Sequence, residues 1–324
     1  MLAGCNKGGS AKPAEPATTA ESSTSGPTRL TEALTHIATA EDAVRANDKE
    51  KALIEFQRAI EINPNLTTAY MGMADIYRMD RDYEKAELRY AQAARVEPKN
   101  FDAQFYHGLM LHLLERVTEA IQSYLRALTI RPDDFQANLN LATAYYQIEE
   151  NTQALPYARK AVALDKDDGS ARLNLGAIYA ALGRHQDAVN EYQQAAELMP
   201  LTGELLLNLA ESLANLSRFD EMANALEQAA KTHPSAAVFE RLGFARFRLK
   251  DYAAASTNFQ KSLDIDADYF PALNGLGVST LNDWIGGDRQ DGSLKERGVA
   301  MLRRSLQLEP DQPQIREIVT RYGR

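Results

Sequence analysis

Three asparagines, Asn140, Asn174 and Asn208, stand 34 residues apart, each directly before a leucine. Asparagine is a poor residue for a helix interior, because its short amide competes for the backbone's own hydrogen bonds, so three in one register call for a reason. A primary amide offers a donor and an acceptor side by side. That pair matches the alternating C=O and N–H of an extended peptide backbone without reading its side chains. The alternative for the same residues is that their amides bond to neighbouring helices and only set the packing between them.

Other reactive chemistry does not assemble in the sequence. The five histidines, His36, His107, His112, His185 and His233, are dispersed. His107 and His112 are five apart, a step that turns two rings on a helix away from a shared metal ion. The Asp-rich stretch ending at Gly292 is no calcium loop, since Gly287 and Arg289 occupy positions where oxygen ligands are needed. A phosphate-cradling glycine loop, a dinucleotide fingerprint and a serine nucleophile elbow are all missing. We therefore expect no enzyme, no cofactor, no metal and no small-molecule substrate. With 36 Lys and Arg against 45 Asp and Glu the net charge is -9, which repels phosphate backbones, and no basic patch interleaved with aromatics offsets it. Nucleic acid is excluded as a partner on this ground.

The elements that must carry the asparagines follow from residues 169–202. Leu175, Gly176, Tyr179 and Leu182 fall at helical spacing, and so do Ala188, Tyr192, Ala195 and Leu198. Two short amphipathic helices are predicted, with Gly183 between them in the φ > 0 geometry that ends a helix and Pro200 closing the second. Shifts of about 34 residues recover the same pattern: Met73-Ala74, His107-Gly108, Leu141-Ala142, Leu209-Ala210, Leu242-Gly243 and Leu276-Gly277. The second half recurs as Ala86, Tyr90, Ala93, Pro98, as Ala120, Tyr124, Ala127, Pro132, and more weakly as Ala255, Phe259, Ser262.

A tandem 34-residue helix pair with these residues resembles the tetratricopeptide repeat. The resemblance covers residues 33–312 and implies an all-α, right-handed solenoid of eight units: 33–66, 67–100, 101–134, 135–168, 169–202, 203–235, 236–269 and 270–312. Such pairs cannot bury their apolar faces alone and must stack. Thr31 and Glu32 are expected to open the first helix. Pro156 falls inside the second helix of the fourth unit. The eighth unit carries about nine extra residues around Trp284, expected as a long inter-helix loop that the indole packs down. Residues 313–324, with Ile315, Ile318, Val319 and Tyr322 on one face, are expected as a capping helix.

By the same resemblance, the face one step before the core leucine lines a concave groove. That face reads Gln136, Asn140, Thr143, Gln147, then Ser170, Asn174, Ala177, Ala181, then Glu204, Asn208, Glu211, Asn215. Tyr106, Leu109 and Leu113 flank it on the N-terminal side and Arg241, Phe244 and Arg248 on the other. The expected ligand is an extended peptide or protein segment, its apolar end toward Tyr106 and an acidic end toward Arg241. The asparagine column is similar to that in the repeat domain of the O-linked N-acetylglucosamine transferases, whose catalytic domain has no counterpart here. The Lys/Asn clamp that other family members use for a chaperone's terminal carboxylate has no matching residues in the first three units.

Residues 1–30 lack periodicity and have a flexible linker's composition. Within them Leu2-Ala3-Gly4-Cys5 resembles the lipobox of bacterial lipoproteins, and Cys5 is the sole cysteine. Acylated there, the chain would be a tethered scaffold of the bacterial cell envelope assisting assembly of a larger complex. Its linker would reach about 25 to 30 Å, and Asn6 would favour the outer membrane. The basic and apolar segments of a signal peptide do not precede the motif in these residues, so either the natural start lies upstream or the match is chance. A cytosolic adaptor without an anchor, or a repeat subunit serving a glycosyltransferase on another chain, remains the alternative.

Overall fold

A computed structural model describes residues 25–287 and 289–323 of the chain. Cys5 and Asn6 lie outside the described residues. Contacts divide the chain into two units, up to Pro98 and from Lys99 onward. All described regular structure is α-helical.

The first unit holds α1 (Ser25–Arg45), α2 (Lys49–Ile62), α3 (Thr67–Met79) and α4 (Tyr83–Val96). Helix α1 begins at Ser25, not at Thr31: the expected cap residue sits within the helix, and its carbonyl accepts from the Thr35 hydroxyl at 2.9 Å. Inside this unit the fully buried Tyr90 donates its hydroxyl to Asp75 at 2.6 Å and accepts from Arg78 Nε at 3.1 Å.

The second unit begins with α5 (Phe101–Leu113), α6 (Val117–Ile130), α7 (Phe135–Gln147), α8 (Asn151–Leu164), α9 (Gly169–Ala181) and α10 (His185–Leu198). It continues with α11 (Gly203–Asn215), α12 (Phe219–Thr232), α13 (Ala236–Arg248), α14 (Tyr252–Ile265), α15 (Phe270–Gly286), α16 (Gly292–Leu308) and α17 (Pro313–Tyr322). Short polar side chains start the first helix of successive pairs. Asn100, Asp134, Asp168, Thr202 and Ser235 each accept the N–H three residues on, at 2.7 to 3.3 Å. These bonds satisfy donors that a helix start otherwise leaves orphaned. First helices touch first helices across neighbouring pairs, α5 with α7, α7 with α9, α9 with α11 and α13 with α15, and the Arg241 side chain bridges α13 to α11.

The core beneath these helices alternates alanine with large rings. Ala137, Ala142, Ala154, Ala158, Ala188 and Ala210 are fully buried, as are Tyr124 and Tyr192. Close approach demands glycine at Gly176, where an added Cβ would lie 2.6 Å from the Tyr192 ring.

The bend between paired helices uses a left-handed residue, as the sequence implies for Gly183 (φ 71°). In the other pairs the same step is taken by Asn47, Arg81, Glu115, Glu149, Ser217, Lys250 and Arg289, with φ between 56° and 66°. A side chain in that conformation is unfavourable by about 1 to 2 kcal/mol. Paired bonds close each bend, as when Gly183 N–H donates to Ala180 O at 2.9 Å and Arg184 N–H to Tyr179 O at 2.8 Å.

The extra residues of the last pair do not form the long loop expected of them. They lengthen both helices, α15 and α16 having 17 residues where α13 and α14 have 13 and 14. Hydrophobic spacing continues through Leu281 and Trp284, so extending the helix buries more than looping out would. Trp284 stands in the last turns of α15 and meets Tyr322 of α17 edge to face, centroids 5.9 Å apart. Ile315, Ile318 and Val319 join it over Leu281, Val299 and Leu302. Gln312 ties the entry of α17, its amide donating to Glu309 O at 2.7 Å and Ser305 Oγ at 3.0 Å.

Candidate functional site

The residue just before the core Leu or Met forms a column on the first helices. In the second unit it reads Tyr106, Asn140, Asn174, Asn208, Arg241 and Gly275. Three of these residues lie against the second helix of the preceding pair. The Asn140 amide lies beside the Tyr124 hydroxyl and partly counters the upward push that burial gives that phenol. Asn208 shares a cleft with Tyr192, and Gly275 sits against Phe259.

Asn174 divides its amide between the two roles left open by its spacing. Its Nδ2 donates to Thr143 Oγ1 of the preceding pair at 3.0 Å, and Thr143 passes its own proton to Leu139 O at 3.0 Å. Its Oδ1 is buried with no hydrogen-bond partner among the described residues. Between α9 and α11 a cleft of about 220 Å³ opens beside Asn208, walled by Ala177, Ala181, Glu211 and Ser212, with Tyr146 and His185 at its margin. Ser212 is 1% exposed, and its Oγ, like His185 Nδ1, has no partner among the described residues. Burial pushes the Tyr192 hydroxyl up, with Tyr146, Glu211 and Glu204 adding to the effect. Buried polar atoms are almost always paired, so these three without partners, on α9, α10 and α11, are exceptions that call for a role.

Other predicted residues are placed differently. Gln136 and Glu211 are exposed on the face. Arg241, expected to meet an acidic end of a ligand, is already engaged: its Nη1 lies 3.1 Å from Glu211 and donates to Leu207 O at 3.3 Å. The column position puts that guanidinium one turn from a carboxylate on α11, and an acid there satisfies it within the chain. Arg248 stacks over Phe219, 4.3 Å from the ring centre, and lies 5.7 Å from that of Phe244. Tyr106 packs edge to face on Phe105. His107 faces Ser123 at 3.1 Å, whereas His112 faces Gln147 at 2.8 Å.

A second hollow, about 360 Å³, lies between α13 and α15. Phe244, Phe247 and Phe259 supply rings, Pro271, Gly275 and Val278 the opposite wall, and Glu240, Arg248 and Asn274 the polar groups. A Cβ at Gly275 would fall 2.3 Å from the Phe259 ring, so only glycine leaves it open. Burial pushes the Glu240 carboxyl above the usual carboxylate range, with Arg241 opposing. Glu240, Asn274, Ser212 and Gly275 escaped the sequence reading, although the step from Asn174 through Asn208 and Arg241 leads directly to Gly275.

No described helix is long and apolar enough to cross a membrane. A family model for the tetratricopeptide repeat matches residues 71–135, 139–201 and 207–269. No curated protein matches the sequence. Among solved structures, that of Pseudomonas aeruginosa pilF is similar at 21% identity and TM-score 0.52, over 66% of this chain and 97% of the other. A tetratricopeptide repeat protein of Parabacteroides merdae is similar at 16% identity and TM-score 0.51, over 77% and 99%. YrrB, described as a repeat protein with an unusual peptide-binding site, is similar at 18% identity and TM-score 0.51, over 61% and 98%.

Proposed function

Because the chain belongs to the tetratricopeptide repeat family, we propose that it is a non-enzymatic scaffold holding an extended segment of a protein partner on the first-helix face of its second unit. The observation that carries this reading is the half-used amide of Asn174. Its donor is spent on Thr143, and its buried acceptor has no partner among the described residues, as holds for Ser212 and His185 in the lining of the cleft at Asn208. An extended backbone supplies N–H groups to such acceptors irrespective of sequence. The likeness to YrrB in fold agrees with a peptide as ligand.

Changing Asn140, Asn174 and Asn208 together to alanine should weaken capture of the partner by about 0.5 to 1.5 kcal/mol per lost bond. Calorimetric titration reads that loss. Thr143→Val is the control, since it removes the interhelical bond of Asn174 and leaves Oδ1 in place. If Thr143→Val and the triple variant lower the melting temperature equally and neither weakens capture, the amides serve packing alone.

We further propose that Leu2-Ala3-Gly4-Cys5 is a lipidation motif tethering the scaffold to a bacterial envelope membrane. The position of the sole cysteine ahead of a linker-like stretch supports it. Expressed from its full natural reading frame, the protein should incorporate radiolabelled palmitate and lose it in Cys5→Ser. Equal labelling of both would leave the cytosolic adaptor as the better reading.

A further inference from the structure

The hollow between α13 and α15 differs in chemistry from the cleft at Asn208. One position before the column, the preceding pairs carry Leu139, Leu173 and Leu207, all partly buried. In the seventh pair that position is Glu240, a carboxylate among phenylalanine rings. Its nearest cation, Arg241, is committed to Glu211 and Leu207 O, and Tyr269 stands on its other side. Asn274 contributes a second acceptor: its Nδ2 donates to Gln312 Oε1 at 2.6 Å, and its Oδ1 is buried without a partner among the described residues. Arg248, on the rim, stacks on Phe219 and near Phe244, so these rings already receive a cation on their faces.

We propose that this hollow receives one cationic side chain, a lysine or an arginine, of the partner segment. Its alkyl stem would lie over Phe244 and Phe259 and its charged head against Glu240 and Asn274. Long basic side chains combine an apolar stem with a donor-rich head, which is the complement of aromatic walls closed by acceptors. The inference rests on reading the first-helix face as the partner-binding one, and it specifies what the partner must carry there. It replaces the acidic end that Arg241 alone suggested. The construction is not unique to this place: in the first unit Gly72 likewise stands where a Cβ would fall 2.3 Å from Phe56, and Glu41 and Asp75 line the hollow so formed.

Small probes test the hollow without touching the asparagines. Pentylammonium, pentanol and pentanoate share a stem and differ in charge, and their binding to the full chain at neutral pH can be followed by NMR of methyl-labelled Val278. Pentylammonium should bind at least about fivefold more tightly than pentanol, a gap typical of one desolvated cation–π and ion-pair contact. Pentanoate should bind weakest. Glu240→Gln, nearly isosteric and free of a desolvated charge, should fold at least as well and bring the amine down to the alcohol. Gly275→Leu should abolish binding of all three. Equal affinity for alcohol and amine, preference for pentanoate through Arg248, or amine binding unchanged in Glu240→Gln would each overturn the assignment. The triple asparagine variant should bind pentylammonium as the parent does, so failure of the hollow and failure of the column give separate readings.

Discussion

Tyr192→Ala should destabilise the second unit by about 3 to 5 kcal/mol, the usual cost of emptying a large buried aromatic site. The ring is 1% exposed and packs so closely on α9 that Gly176 cannot carry a Cβ. It belongs to one cluster with Ala188, Val189, Leu209 and Leu213, which joins the pair α9–α10 to the next. Neighbours that close on a ring through glycine and helix backbone cannot collapse into the space it leaves. Tyr192→Phe keeps the ring and should cost far less. Stacked repeats need not unfold as one step, so the measurement is hydrogen exchange at α9 and α11 amides alongside urea unfolding. A loss below about 1 kcal/mol would mean that the joint between these pairs does not depend on the ring.

Trp284→Ala should release α17. None of the residues of that helix is fully buried, so its attachment rests on a few half-covered side chains meeting the indole, Leu281 and Val299. Removing the indole takes away the largest of those surfaces, at about 3 kcal/mol for an aromatic of this size. Arg316 and Arg321, already exposed, would then lie on backbone free to unwind into a protease cleft, and brief trypsin digestion should cut at these two residues faster in the variant than in the parent. Exchange protection of α17 amides equal to the parent would show that Arg303, which donates to Gly323 O at 2.9 Å, and the Gln312 bonds hold the helix without it.

The period of the helix pairs is legible in the sequence because stacking imposes the same few demands every 34 residues: glycine or alanine where helices approach, a ring or leucine between them. Residues 169–202 therefore predict both helices and the bend at Gly183 correctly. What escapes is whatever depends on a neighbour's exact size. Gly275 reads as a neutral gap in the column until Phe259 is seen beneath it. The added residues near Trp284 read as a loop because an insertion breaks the period, whereas the structure keeps the helix and moves the break. Asn174 shows the limit most clearly: spacing identifies its amide as unusual, but only the position of Thr143 shows that one half is committed and the other free.

The bends of this protein hold a further lesson. Among the described residues, seven pairs turn on a residue other than glycine in that left-handed backbone geometry, and one turns on a glycine. The corner is thus imposed from outside, by the packing of the flanking helices, at the local strain noted for such residues. An isolated pair cut from the array should straighten at Glu149 or Lys250 sooner than at Gly183, whose backbone carries no such strain.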